Sequence, residues 1–256
     1  MSASLDPLVH ALADAHRAGR AAPAASLDAS ALSMADAYDV QSRVVEAIGG
    51  RIAGWKCGFG PDGQPVAAPL IAGVVKPNGA TIPLPPDRPA ILEIEIAFRL
   101  ARDLPPRPDR PYTQQEIVDA VAAVLIGAEL IAARGGMPSA GTPYARFVAD
   151  LQGNAGYVCG AETRAFPGLD LKALPLVVQL DGVRVHEGRG GHPQGDPWAP
   201  LVAWSNAQCD RLGGLRAGQV ITTGSCSPPR PIDKPCKVRA TIDGIGDVAL
   251  AFTPAR

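Results

Sequence analysis

Across residues 92–100, Leu92, Ile94, Ile96, Phe98 and Leu100 alternate with Glu93, Glu95, Ala97 and Arg99. A period of two belongs to a half-buried strand and is incompatible with an amphipathic helix. The same alternation sets Glu93 and Glu95 on one face, two residues apart. Taken alone, that pair also fits an ordinary solvent-facing strand side, where charged residues usually lie. Two like charges side by side repel unless something neutralises them, and a shared cation does so as readily as water and salt.

The rest of the chain divides around this strand. Residues 5–20 are Ala-rich with Leu8 and Leu12 on one stripe, which predicts a helix; residues 21–30 read as a linker of small and polar residues. Ser33 and Asp36 form a capping box opening a second helix, with Ala37, Gln41, Val44 and Ile48 at helical spacing and Gly49-Gly50 to end it. From residue 51 onward, short apolar runs alternate with Gly, Pro and Asp. A second box at Thr113 and Glu116 predicts a helix to about Val124, followed by an extended segment over residues 125–133. Asp181-Gly182 between two apolar runs predicts a hairpin, residues 200–212 read as a helix, and residues 220–223, 236–242 and 247–252 read as strands. The expectation is an α+β fold, with a helical arm over residues 1–50 and a β-rich unit over residues 51–256.

The formal net charge of -1 and an aromatic content of 5% give no reason to expect nucleic acid or an anionic membrane as partner. No apolar run approaches the roughly 18–20 residues that span a bilayer. The opening Met-Ser-Ala-Ser-Leu-Asp lacks the basic and apolar regions of a secretory leader. Five cysteines without a C-x-x-C pair argue against a disulfide framework or structural zinc, so a cytoplasmic protein is expected.

Chemistry concentrates at a few positions. Glu129 stands in the apolar run Ile126-Gly127-Ala128-Glu129-Leu130-Ile131, where a carboxylate needs a partner; Arg134 is the nearest cation in sequence, and a metal is the other candidate. Three carboxylates without His or Cys suit Mg2+ or Mn2+ and leave about three of six coordination positions open, two of which a 2-oxo acid can fill. Lys56 lies between Trp55 and Cys57, outside any solvated charge run; it reads either as a surface lysine at a strand end or as a group for a substrate carboxylate or a proton. Gly188-Arg189-Gly190-Gly191 lets backbone N–H groups approach an anion or is a flexible loop; His186 and His192, on either side, read as loop histidines in preference to metal ligands. Thr222-Thr223-Gly224-Ser225 could offer hydroxyls to a ligand. No nucleophile elbow, dinucleotide fingerprint or phosphate loop is present.

In order, the chain carries Asp36-Ala37-Tyr38 with Gln41, Gly54-Trp55-Lys56, Leu92-Glu93-Ile94-Glu95-Ile96-Ala97, and Ala128-Glu129-Leu130-Ile131 with Arg134. Gly188-Arg189-Gly190, Gly195-Asp196-Pro197, Leu215-Arg216-Ala217-Gly218 and Thr223-Gly224 follow. This set resembles the 2-keto-4-pentenoate hydratase and 4-oxalocrotonate decarboxylase group of the fumarylacetoacetate hydrolase superfamily. The resemblance implies a β-roll catalytic domain over residues 51–256 behind the helical arm, and a homo-oligomer. It implies Glu93, Glu95 and Glu129 as ligands of Mg2+ or Mn2+, Lys56 as a catalytic residue, and Arg134, Gly188, Arg189, Gly190, Thr223 and Gly224 as substrate-binding residues. The implied reaction is addition of water to a 2-hydroxydienoate or 2-oxo-alkenoate, giving a 4-hydroxy-2-oxo acid in aromatic compound catabolism. A decarboxylase of a 2-oxo diacid and a non-catalytic subunit that joins a pathway partner enzyme are the alternatives. Three stretches depart from the group's pattern: Gln64-Pro65-Val66-Ala67-Ala68, where its hydratases carry an aspartate; Ala149-Asp150-Leu151, where they read Ala-Asp-Asn; and Gly195-Asp196-Pro197, where they read Gly-His-Pro.

Overall fold

The computed structural model describes residues 4–26, 32–139 and 142–254. Residues 27–30 of the expected linker therefore lie outside the described residues. Two helices lead the chain, α1 (Asp6–Ala18) and α2 (Met34–Ala47). The expected capping box opens α2: the Ser33 hydroxyl accepts from the Asp36 N–H at 3.1 Å, and the Asp36 carboxylate accepts from the Ser33 N–H at 3.3 Å. Then come β1 (Ile52–Phe59), β2 (Pro65–Ile71), β3 (Val75–Pro77), β4 (Ala80–Pro83), β5 (Ile91–Leu100), α3 (Gln114–Val118), β6 (Val121–Ile131), α4 (Tyr144–Ala149) and β7 (Asn154–Thr163). The chain finishes with β8 (Pro175–Leu180), β9 (Val183–Arg189), α5 (Trp198–Ala207), β10 (Val220–Ser225), β11 (Arg230–Pro231), β12 (Cys236–Ile242) and β13 (Gly246–Thr253).

Among the described residues the strands form two sheets. The larger runs β2-β1-β10-β5-β6-β7-β3 with β11 beside β5, and the smaller runs β4-β13-β12-β8-β9. The fold is α+β and strand-rich. One core cluster joins Leu8 and Leu12 of α1 and Val44 of α2 to Ile94, Phe98 and Ile126 of the larger sheet, so the leading helices share the sheet's apolar interior. Trp55 of β1 reaches into that helical layer, 6.2 Å from the ring of Trp204, which stacks on Tyr38 at 6.0 Å.

Local signals hold where the chemistry is local. Asp181 (φ 49°) and Gly182 (φ 80°) both take the left-handed conformation that a two-residue hairpin requires. Three boundaries differ. Helix α3 stops at Val118, not near Val124, because the following residues pair as β6 with β5 on one side and β7 on the other. With almost every residue of β6 buried, its sequence is apolar throughout and shows no two-residue period. Helix α5 ends at Ala207, not Leu212, because the Asp210 carboxylate turns the chain by accepting from the N–H groups of Leu212 and Gly214. Strand β9 continues to Arg189, so Gly188 and Arg189 pair with Leu176 and Pro175 and do not form a loop.

Gly54 explains part of the Gly-Trp-Lys stretch. It pairs with Val220 in the parallel β1–β10 ladder, and a Cβ there would lie 2.0 Å from the Val220 carbonyl oxygen. The obstruction is backbone, so it cannot rotate away. Gly54→Ala is expected to lower the melting temperature by roughly 5–10 °C, the cost of overpacking a sheet interior. Calorimetry showing an unshifted transition would contradict this packing.

Candidate active site and metal centre

Strands β1, β10, β5 and β6 are consecutive in the larger sheet and line one cavity of about 350 Å3. Alternation along β1 sends Trp55 into the core and Lys56 to the cavity side. Glu93 and Glu95 enter from β5, and Glu129 enters from β6 directly opposite Glu93. One carboxylate oxygen from each lies within 4.8 Å of the other two, so the structure brings these three residues together. Gly127 pairs with Glu95, and a Cβ at this glycine would fall 1.9 Å from the Tyr157 hydroxyl; the bare backbone admits the phenol beside the cluster.

Two of the three carboxylates are tied by hydrogen bonds. Glu129 Oε1 accepts from Lys56 Nζ at 2.7 Å and from Asn154 Nδ2 at 2.8 Å, while Glu129 Oε2 is buried without a hydrogen-bond partner. Glu95 accepts from the Thr222 hydroxyl. Lys56 Nζ also donates to the Gln152 carbonyl at 3.1 Å. That carbonyl belongs to a run of left-handed residues, Leu151 (φ 53°), Gln152 (φ 49°) and Gly153 (φ 66°), between α4 and β7. For the two non-glycine members this costs roughly 1–2 kcal/mol each.

The remaining candidates divide. Thr223 and Gly224 line the same cavity, together with an apolar wall that includes Phe59, Ile131, Met137, Tyr144 and Phe147. Gly188, Arg189 and Gly190 line an adjoining cavity of about 500 Å3, which shares Glu93 and Gly224 with the first. Arg134 reaches neither. Its guanidinium pairs with Asp150 at 3.4 Å and donates to the Asn154 carbonyl at 3.0 Å, lining a separate cavity. The partner of Glu129 is thus Lys56, 73 positions away, and not the neighbouring Arg134. His192 sits in a loop with Nε2 2.8 Å from the Thr223 carbonyl; His186 stands on β9. Three contributors were not among the sequence candidates: Asn154, the Gln152 carbonyl and Tyr157. Asn154 carried a signal as a polar residue next to an apolar run; a carbonyl carries none.

Three acids, two buried and one half-buried, cannot all ionise freely in so small a volume. Burial first, and then the charge of Glu129, push Glu93 up to about 7. Burial, then Glu129 and Glu93, raise Glu95 well above the ordinary carboxylate range, against the opposing Thr222 hydroxyl. The donor set is all oxygen, the charges repel, and Glu129 Oε2 lacks a partner: each of these fits a hard divalent cation. A folded-state pKa above the unfolded one means that the metal-free fold loses stability as pH rises from about 4.5 to about 7. A cation that replaces the proton reverses that loss. The melting-temperature gain from saturating Mn2+ is therefore expected to be small near pH 5.5 and to grow toward pH 8; a gain that shrinks over this range would refute the assignment.

The sequence matches the family described as fumarylacetoacetate (FAA) hydrolase C-terminal over residues 64–252. It is 29% identical over 234 residues to a 2-keto-4-pentenoate hydratase of Paraburkholderia xenovorans (strain LB400), covering 86% of this chain and 84% of that one. In fold it is similar to 4-oxalocrotonate decarboxylase from Pseudomonas putida G7, solved with magnesium and adipate. There the TM-score is 0.80 at 23% identity, with 96% of this chain and 98% of the other covered. It is also similar to fumarylpyruvate hydrolase from Pseudomonas aeruginosa, solved with Mn2+ and pyruvate, at a TM-score of 0.56 and 15% identity over 78% and 88% of the two chains.

Proposed function

The chain belongs to the fumarylacetoacetate hydrolase C-terminal family, and from that premise we propose that it is a divalent-metal-dependent hydratase, a carbon–oxygen lyase. Its substrate is a 2-hydroxydienoate or the corresponding 2-oxo-alkenoate, and its product a 4-hydroxy-2-oxo acid. The observation that carries the reading is the convergence of Glu93, Glu95 and Glu129 beside Lys56 at one end of an apolar-walled cavity. The hydratase of P. xenovorans, matched over most of both chains, supports the same reaction. Residues 51–256 form the catalytic unit and residues 1–50 the helical arm in this reading, which also takes the chain as a cytoplasmic homo-oligomer. Among the described residues no helix is long and apolar enough to cross a membrane.

Glu93, Glu95 and Glu129 would hold Mg2+ or Mn2+, as the magnesium and manganese complexes of the structural neighbours also favour. A bound divalent ion would supply Lewis-acid stabilisation of negative charge on a 2-oxo acid. Lys56 has three ammonium protons; Glu129 and the Gln152 carbonyl take two, leaving one to orient the substrate carboxylate or to move a proton. Thr223 and Gly224 shape the floor beside it. Phe59, Ile131, Tyr144 and Phe147 exclude bulk water around the substrate's tail. Among the described residues lining this cavity Lys56 is the only cation, which favours an uncharged tail.

A decarboxylase of a 2-oxo diacid has one observation in its favour: Arg189 lines the adjoining cavity that opens at Glu93, where a second carboxylate could go. The test is to incubate the protein with Mn2+ and 2-hydroxypenta-2,4-dienoate, follow loss of the dienol absorbance, and identify the 4-hydroxy-2-oxo acid by NMR. Arg189→Ala should change KM for this monoacid by less than about threefold, since a surface charge that meets no substrate carboxylate contributes little. Carbon dioxide release from a 2-oxo diacid without hydration of the dienoate, and with KM sensitive to Arg189→Ala, would replace the hydratase with the decarboxylase.

A further inference from the structure

A second cavity, of about 260 Å3, lies on the other side of β6. Alternation along that strand turns Glu129 and Ile131 toward the carboxylate cluster and Leu130 toward this second space. Val74 and Ile82 complete its apolar floor, and Arg88, Arg134 and His16 stand over it, with Arg20 at the exposed rim. The cavity thus pairs an apolar base with a cationic roof.

Arg88 and Arg134 each pair with one acid, which leaves Arg20 as the surplus cation of the cavity. Arg134 is 4% exposed, and its Nε–H is buried with no hydrogen-bond partner, although its other nitrogens bond Asp150 and the Asn154 carbonyl. The Arg88 side chain is 6% exposed; it donates to the carbonyls of Ala132 at 2.9 Å and Gly19 at 2.8 Å, and pairs with Asp87 at 3.2 Å. Both acids are shared: Asp87 also accepts from the Ala21 N–H, and Asp150 from the N–H groups of Arg134 and Gly135. Arg20, Arg88 and Arg134 therefore face two carboxylates that are already committed. Burial first, and then the charges of Arg134, Arg88 and Arg17, hold His16 down to about 4, so the imidazole adds no positive charge to the cavity at neutral pH.

We propose that this cavity is a binding site for a small organic carboxylate, its head on Arg88 and Arg134 and its short apolar body against Val74, Ile82 and Leu130. A monoanion matches the single surplus positive charge, and the apolar floor distinguishes a carboxylate with a hydrocarbon tail from inorganic phosphate. The site is separate from the metal cluster yet joined to it. Arg134 donates to the Asn154 carbonyl, and the Asn154 side chain holds Glu129. An anion that draws on the Arg134 guanidinium competes with that carbonyl, so occupancy is felt one residue from the cluster.

The test uses the full chain stripped of divalent ions, so it needs neither metal nor turnover. Titration with butyrate, followed by NMR and calorimetry, is expected to show one saturable site with millimolar affinity. Arg88→Gln should weaken it at least tenfold. Because Arg88 also ties two carbonyls, Val74→Phe provides a second variant, which fills the cavity without touching a charge and should abolish binding. Absence of saturation in the wild type by about 50 mM butyrate, or binding unaffected by Val74→Phe in a folded protein, would overturn the proposal. Tighter binding of inorganic phosphate than of butyrate would overturn the carboxylate assignment.

Discussion

Glu129→Gln is expected to give a folded protein whose Mn2+ affinity falls on the order of 100-fold or more and whose turnover drops by roughly 10^3. Glu129 stands opposite Glu93 across β5 and β6, with one oxygen committed to Lys56 and Asn154 and the other buried without a partner. A glutamine of the same size can be placed in two ways. With its amide nitrogen toward Lys56, two donors face each other; with the nitrogen toward the cluster, the free oxygen ligand is gone. Either way one of three negative charges is lost from a cavity built around them. Isothermal titration with Mn2+, alongside circular dichroism to establish folding, checks the result. Wild-type affinity in a folded Glu129→Gln protein would falsify the metal assignment.

Lys56→Met has the next largest effect, and it separates two roles. The Lys56 side chain is 10% exposed and that of Glu129 is 1% exposed, so the change leaves a buried carboxylate with Asn154 as its remaining hydrogen-bond donor. Breaking one side of a buried pair costs about 3–5 kcal/mol. The metal-free variant should therefore melt roughly 10 °C lower, and saturating Mn2+ should restore much of that, since a cation substitutes for the missing ammonium. Turnover should fall by roughly 10^2 to 10^4 if Lys56 moves a proton. If it serves only to position the substrate carboxylate, KM rises while kcat is kept. Calorimetry with and without Mn2+, together with the KM and kcat split, distinguishes these outcomes; a metal-free variant as stable as the wild type would refute the buried pairing.

What could be read from the residues was what short-range chemistry encodes. The alternation around Glu93 and Glu95, the Ser33 box and the Asp181-Gly182 turn each need only a few neighbouring side chains to declare themselves, and each is present in the fold. The fold class and the family were legible because ordered motifs span most of the chain. Strand β6 was harder. Central in its sheet and buried on both faces, it offers no polar side from which to read a period, and the Thr113 box invited a helix that tertiary pairing cuts short. The partner of Glu129 was hidden for another reason. Arg134 is five positions away but lies past the strand end, where Asp150 claims it, whereas Lys56 arrives from β1 by way of the parallel β1–β10 pairing. Long-range pairings of this kind leave no mark on either segment alone.

The left-handed turn at Leu151 and Gln152 has a consequence for how such a chain can diverge. The anchor it extends to Lys56 is a peptide oxygen, common to every amino acid. A side-chain substitution in this turn that keeps its backbone shape and its packing therefore leaves the lysine its moorings. An insertion, a deletion or a residue that refuses the backbone shape could set it adrift.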